Sequence, residues 1–351
     1  MSSTAVKACL ITNPRSGRGP IDLTDALAVL RAQGWDVRVR EKRRGGEATK
    51  LAQAAADAGC TIVAACAGDG TVSEIVDGLV GTDVAVGVLP GGTANLWAHE
   101  LGVSSKLRVA ALQLVGAERR RVDVGHVSVN GRHGQHFLLM AGLGLDGAII
   151  SRLSKPLKRR LGKLAVGVAA LQTLPGYRAT QVYAEMDGIP WHGKISQLIV
   201  GNTRLYGGFT RVTGNAFIDD GLLDICLFRA AGPTAAGRQV ASLLFRRRPS
   251  TDSAELYRGA SLTLEAPSVL PLQIDGGAVR LKKVKRKAGV VTYEFTTVAS
   301  GITMLIPRAY NGALFRHDAL SFSYFQPGDV VQYKGKKNGG HSTVQARRLM
   351  E

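Results

Sequence analysis

No run of apolar residues in this 351-residue chain approaches the ~20 needed to cross a bilayer. The opening residues, Met1 to Lys7, lack a charged start followed by an apolar secretory core. The chain is therefore expected inside the cell, touching membranes only from the surface. Cysteine is scarce. Cys9, Cys60, Cys66 and Cys226 fit no zinc spacing, and three lie in or beside apolar runs, as buried free thiols of a reducing compartment do. The seven histidines fit no ligand spacing either. No Gly-x-Ser-x-Gly segment is present, which removes a serine-nucleophile hydrolase of that type. Acids are few: 27 against 45 lysines and arginines, for a net charge of +18. Such an excess favours polyanionic partners, namely nucleic acid, an anionic membrane face or phosphate ligands. No nucleic-acid-binding module accompanies it, so nucleic acid is not an expected partner.

What is present is ordinary for a packed protein: 45% apolar and 21% charged residues. The first ~125 residues alternate strand and helix patterns. Ala5–Thr12, Trp35–Arg40, Thr61–Ala67 and Val84–Leu89 read as strands. Ile21–Gln33, Glu47–Ala58, Thr71–Val80 and Thr93–Leu101 read as helices. That alternation predicts a parallel sheet covered by helices. Beyond Asp123 short strands dominate, separated in places by turns such as Asn130-Gly131 and Asp187-Gly188, and an antiparallel β domain is expected. The predicted organisation is an α/β domain over 1–123 and an antiparallel β domain over 124–299. A helical insertion is expected at about 149–174, and a basic polar tail over 321–351.

Two glycine-rich loops follow predicted strands and open predicted helices: Ala67-Gly68-Asp69-Gly70-Thr71-Val72-Ser73-Glu74 and Leu89-Pro90-Gly91-Gly92-Thr93-Ala94-Asn95. Glycine admits close backbone approach, and a helix start offers unpaired N–H groups, so phosphate suits such places. Asp69 would repel phosphate unless a cation lies between them, or unless it serves as a base near a reacting hydroxyl. One such loop alone is equally a tight turn with Asp69 as a helix cap. Two of them, with Asn13-Pro14-Arg15-Ser16-Gly17 after the first strand, favour the phosphate reading.

These segments together resemble the diacylglycerol kinase catalytic-domain family, above all its bacterial lipid kinases, related to sphingosine and ceramide kinases. The resemblance continues through Ala141–Gly147, Val200-Gly201-Asn202, Tyr206-Gly207-Gly208 and Ala216–Asp224, and covers roughly residues 5–310. It implies an α/β domain similar to that of NAD kinases, completed by about 300–320, a C-terminal β-sandwich over 124–299, and ATP in a cleft between them. Asn13, Pro14, Arg15, Ser16 and Gly17 would meet the nucleotide, Gly68 to Ser73 with Glu74 would wrap its phosphates, and Gly92 and Thr93 would complete the site. A structural Mg²⁺ would be held by the Asp220 carboxylate and the Phe217 and Leu222 carbonyls.

Three positions depart from the family pattern. Ala67-Gly68 replaces a double glycine. Arg40 stands where relatives place a nucleotide-contacting threonine, and an arginine can still bind phosphate. Asp275-Gly276-Gly277 replaces Asp-Gly-Glu, whose glutamate is the proposed general base. With no side chain at 277, the resemblance leaves Asp69 and Asp275 as the expected catalytic carboxylates, Asp69 being the leading substitute for proton removal. The resemblance thus implies an ATP- and Mg²⁺-dependent lipid kinase acting on a membrane-lipid hydroxyl. The alternatives are a catalytically weak or inactive nucleotide- or lipid-binding homologue, and a NAD kinase. The basic residues Arg152, Lys155, Lys158, Arg159, Arg160 and Lys163, followed by apolar Leu164–Leu171, suit an anionic bilayer. The expected location is cytoplasmic, peripheral at the inner membrane face. Oligomeric state, a homodimer included, stays open at this level.

Overall fold

The computed structural model describes residues 5–17, 19–153, 164–206, 210–229, 234, 237–238, 241–242, 254–281, 284–310, 312, 314–316, 329–332 and 345–348. The chain forms two compact units. The first is Met1–Val124 with Ala299–Asp318, and the second is Gly125–Val298 with Ala319–Glu351.

The first unit is α/β. Its elements are β1 (Val6–Thr12), α1 (Thr24–Ala32), β2 (Trp35–Glu41), α2 (Glu47–Asp57), β3 (Ile62–Ala67), α3 (Asp69–Leu79), β4 (Ala85–Pro90), α4 (Leu96–Glu100) and α5 (Leu107–Val115). The strands pair in parallel in the order β2-β1-β3-β4. Every residue of β3 is buried, as expected for a strand covered on both faces. Helix α2 buries Ala48, Ala52 and Ala55, one small-residue stripe of helical period, and packs against α3. The last helix, α5, was not anticipated from the sequence; it buries Ala110, Ala111 and Leu114. All four cysteines are buried free thiols, and burial pushes Cys9 up to about 11 and Cys66 up to about 12.

The remaining elements are β5 (Glu118–Val129), β6 (Arg132–Phe137), β7 (Met140–Gly144), α6 (Leu145–Arg152), α7 (Leu164–Thr173), β8 (Thr180–Met186), β9 (Ile189–Ile195), β10 (Gln197–Gly201), β11 (Leu205–Tyr206), β12 (Thr210–Arg211), β13 (Leu223–Phe228), β14 (Ala254–Gly259), β15 (Ser261–Ala266), β16 (Leu272–Ile274), β17 (Gly277–Ala278), β18 (Val291–Ile306), β19 (Asp329–Gln332) and β20 (Gln345–Arg348). In the second unit, one sheet runs β18-β15-β8-β9, with β5 also on β18 and β6 on β5. The other runs β17-β16-β7-β10-β13-β14-β19-β20. Along β8, Val182, Ala184 and Met186 are buried while Gln181, Tyr183 and Glu185 are exposed, the period of a half-buried strand. Leu143, Val200, Ile225, Leu264 and Phe295 meet in the core between the two sheets.

The helical insertion begins earlier than its apolar pattern suggests. Gly144, at φ +85°, turns β7 directly into α6, and the Leu145 N–H donates to the Ser196 carbonyl at 3.0 Å. Residues 154–163, with Lys155, Lys158, Arg159, Arg160 and Lys163, lie outside the described residues. The segment read as a tail contributes β19 and β20, strands of four residues each and too short for a period to register.

Of the three places where the chain passes from one unit to the other, two fall in β5 and β18 and the third follows Asp318. On the first-unit side, the buried carboxylate of Asp123 accepts the Ser300 N–H at 2.7 Å. Within the sandwich, Arg258 is an ionic anchor. Its side chain is 6% exposed, and it donates to both oxygens of Asp224 at 3.1 Å and to the Asn215 carbonyl. Replacing Arg258 with methionine would leave Asp224 buried without its cation. The expected loss is about 3–5 kcal/mol in urea unfolding, against well under half of that for Arg280→Met on the exposed surface.

Candidate functional site

The loops after β1, β3 and β4 gather at the carboxyl ends of three adjacent parallel strands, the usual place for ligands in such sheets. They are held by backbone contact more than by side chains. The Ser16 hydroxyl accepts the Gly68 N–H at 3.1 Å. Gly17 takes φ +57°, and a methyl group on it would stand 2.9 Å from the Gly91 carbonyl oxygen. A methyl on Gly92 would stand 2.3 Å from the Gly68 Cα. A cavity of ≈ 460 Å³ opens beside this crossing, lined by Gly17, Gly19, Pro20, Ile21, Gly91, Gly92 and Thr93.

Each expected residue of this unit has a definite place. Pro14 starts the turn after β1, and Asn13 closes it: its side-chain oxygen accepts the Arg15 N–H at 3.1 Å, and its amide donates to the Thr71 hydroxyl at 3.5 Å. The exposed Arg15 guanidinium donates to the Arg43 carbonyl at 2.9 Å. Thr71 and Val72 are buried beneath the loop; Gly70 and Thr93 are exposed and Ser73 half-buried. Asp69 is the first residue of α3, and its Oδ1 accepts the Trp97 N–H at 3.1 Å. The cap reading of Asp69 is therefore realised on α4 rather than on its own helix. Arg40 is exposed on β2, in register with Ile11.

Glu74 turns toward protein. Its Oε1 lies 2.5 Å from the Lys42 ammonium, and its Oε2 accepts the Ala48 N–H at 3.1 Å. Lys42, 7% exposed, also donates its backbone N–H to the Thr12 carbonyl at 2.8 Å. The pair thus ties the ends of β1 and β2 to α2 and α3. Lys42 went unremarked in the sequence because a lysine in a run of charges reads as solvated surface.

In the second unit, Asp275 is buried at φ +45°. Its carboxylate accepts the N–H groups of Leu138, Leu139 and Met140 at 2.9–3.0 Å. Gly277, by contrast, is exposed, and its φ is not in the left-handed region; a Cβ there would meet only the Ile274 carbonyl, at 3.2 Å. Asp220 lies in a tight loop with Gly221 at φ +75°, and its Oδ1 accepts the Leu222 N–H at 3.1 Å. Its other oxygen is 3.9 Å from Arg258. Among the described residues no group of three or more acidic, histidine or cysteine side chains forms a metal centre. One carboxylate and the Phe217 and Leu222 carbonyls are hard oxygens of the kind that suits a magnesium ion retaining several waters.

Asp146, quoted in the sequence only as part of a motif, is a carboxyl held well above its ordinary range. It is fully buried, the Tyr206 hydroxyl donates to it, and burial raises it to about 6 despite hydrogen bonds from Tyr206 and Gln273. Gly142 leaves the space it fills: a methyl there would overlap its Oδ2. Because folding holds this proton, the associated stability is fully present below the unfolded value near 4. It is lost as pH rises through about 6. Asp146→Asn cannot ionise, so its stability relative to the natural chain should rise between pH 4 and pH 7. The expected change is on the order of 3 kcal/mol by urea unfolding, and a pH-independent difference would remove the assignment.

The family model described as the diacylglycerol kinase catalytic domain matches residues 7–127. The model described as the YegS C-terminal NAD kinase beta sandwich-like domain matches residues 140–286. The chain is 28% identical over 308 residues to the diacylglycerol kinase of Bacillus subtilis, covering 86% of this chain and 97% of that one. It is 33% identical over 279 residues to a YegS-like lipid kinase, named as probable, of Pseudomonas fluorescens, covering 77% of this chain and 90% of the relative. The crystal structure of a diacylglycerol kinase from Bacillus anthracis superposes with a TM-score of 0.64 at 23% identity, over 88% of this chain and all of that one. That likeness is one of fold.

Proposed function

Membership of the diacylglycerol kinase catalytic-domain family, to which this chain belongs, makes it a phosphotransferase, and we propose that it moves the γ-phosphate of ATP to a hydroxyl of a membrane lipid. The observation that carries this reading is the crossing of three loops, Asn13–Gly17, Gly68–Asp69 and Gly92–Thr93, at the carboxyl ends of parallel strands beside an open cavity. Phosphoryl transfer asks for alignment and charge neutralisation more than for covalent chemistry. Loop N–H groups and the start of α3 supply both to phosphate oxygens.

In this scheme Asp69 takes the acceptor proton. Its hydrogen bond from Trp97 fixes the orientation of the carboxylate. Asp275 is a positioning residue, because its oxygens brace the 138–140 turn and hold the segment leading to Gly277. Phe217, Asp220 and Leu222 would hold magnesium, which neutralises charge in their loop. The lipid is met at an anionic membrane face from the cytoplasmic side. Helix α7 supports this: it buries Ala165, Ala169 and Ala170 while Leu171 is 72% exposed, directly after the cationic stretch of the sequence. No helix among the described residues is long and apolar enough to cross the bilayer.

A second reading, a weakly active homologue, draws on the absence of a side chain at Gly277. Incubation with γ-labelled ATP and a mixed lipid extract tests the main reading directly; label should move into a lipid. Asp69→Asn should lower that transfer by ~10²–10⁴-fold while changing ATP affinity much less. Unchanged turnover would remove Asp69 from the chemistry.

Gly277→Glu separates the two readings, and the backbone accepts it once the Ile274 carbonyl gives by a few tenths of an ångström. If Asp69 already serves as base, turnover should change little or fall. A rise approaching ~10²-fold in a variant with an unaltered melting curve would show that the natural chain lacks a base.

A further inference from the structure

Two surface loops far apart in sequence are joined by a single residue, Asn130. It sits at the β5–β6 turn with φ +53°. Its side-chain amide donates to the Lys285 carbonyl at 2.8 Å, and its side-chain oxygen accepts the Thr292 N–H at 2.9 Å. Its own carbonyl accepts the Lys287 ammonium at 3.2 Å. Residues 284–290 are held from below as well, because Val284 packs against the sandwich core and Lys287 bridges Val290.

The result is a built surface in which Arg132, Lys285, Arg286 and Lys287 are all exposed. The sequence has no aspartate or glutamate from Gly125 to Leu145, nor from Gly276 to Tyr293. Cations on the patch thus have no acid on their own segments to neutralise them. The same stretches carry no tyrosine or tryptophan before Tyr293, and their one phenylalanine, Phe137, is fully buried. A surface that holds single-stranded nucleic acid draws on exposed aromatic faces to stack bases, whereas an anionic bilayer is attracted by charge alone.

We propose that this Asn130-pinned patch docks the chain on an anionic lipid surface. The occupant rests on the lipid-kinase reading; the patch itself rests on the geometry. It lies on the segment that directly follows Gly277, so docking through it would bring the Asp275–Gly277 turn toward the membrane.

The test is cosedimentation of the full chain with vesicles of phosphatidylcholine alone and of phosphatidylcholine with about one-third phosphatidylglycerol. The natural chain should bind the anionic vesicles, less so at high salt. The double variant Lys285→Glu, Arg286→Glu should lose at least about tenfold in partition, since each basic residue near the surface contributes roughly fivefold. Lys285→Gln, Arg286→Gln should fall between the two and guards against misfolding of the reversed variant. Equal sedimentation of all three would overturn the proposal, as would preferential binding of the natural chain to RNA over vesicles. Transfer to a detergent-dispersed lipid, measured in parallel, should be equal in all three. If no lipid accepts phosphate yet sedimentation follows the charge, the kinase reading fails and the surface stands. If transfer occurs and sedimentation ignores the charge, the surface fails and the kinase reading stands.

Discussion

The constraint on which the first unit depends is the contact between two backbones. Gly68 and Gly92 end adjacent parallel strands, and their loops cross so closely that no side chain fits between them. Strand spacing brings β3 and β4 within hydrogen-bonding distance, but it does not make the loops that leave them touch. That requires glycine on both, and a third loop whose Ser16 hydroxyl takes up the Gly68 N–H. The crossing sets where α3 begins, and so where Asp69 is held. Asp69 in turn receives the first turn of α4, so one carboxylate links two consecutive βα units.

Around this frame, carboxylates turned toward protein act as anchors. Glu74 joins Lys42 to the start of α2, Asp275 gathers three consecutive N–H groups, and Asp123 holds Ser300. Glu74 and Asp275 satisfy N–H groups of buried residues that would otherwise be desolvated without a partner, a loss costing about 1–3 kcal/mol per group. Asp146 differs from these. Its partners are side chains, and burial favours its neutral form. A carboxyl poised near neutrality beside a tyrosine is a common mark of a functional position, though structural networks produce it too.

The parallel sheet of β1 to β4 and the antiparallel strands beyond them were legible in the sequence because hydrophobic period and glycine placement both report on local backbone, whereas the sandwich arrangement came only with the family resemblance. Asn13–Gly17 and Gly92-Thr93 could be assigned to loops for the same reason, whereas of the loop read over Gly68–Glu74 only Gly68 precedes α3 and the rest lies on the helix. The direction in which a side chain turns was not legible. Glu74 sits in a phosphate-type motif, yet it faces Lys42, and that pairing depends on how α2 packs on α3. Arg40 and Lys42 are two residues apart in a charged run; the first is exposed and the second buried, which only the ends of β1 and α3 decide. The anchoring of Asp275 likewise needs a turn more than a hundred residues away, so no local pattern could announce it.

Strand β18 belongs to both units by chain path: it pairs with β15 at Ser261↔Thr296 and with β4 at Ala85↔Thr303. This places an order on biosynthesis. When the ribosome has finished β4, the strand that covers its outer edge lies more than two hundred residues downstream. Until then β4 presents unpaired N–H and C=O groups, the kind of edge that invites intermolecular pairing. Strands β5 to β17 must be translated before the α/β sheet can close, so the unit that begins synthesis first waits on most of the second.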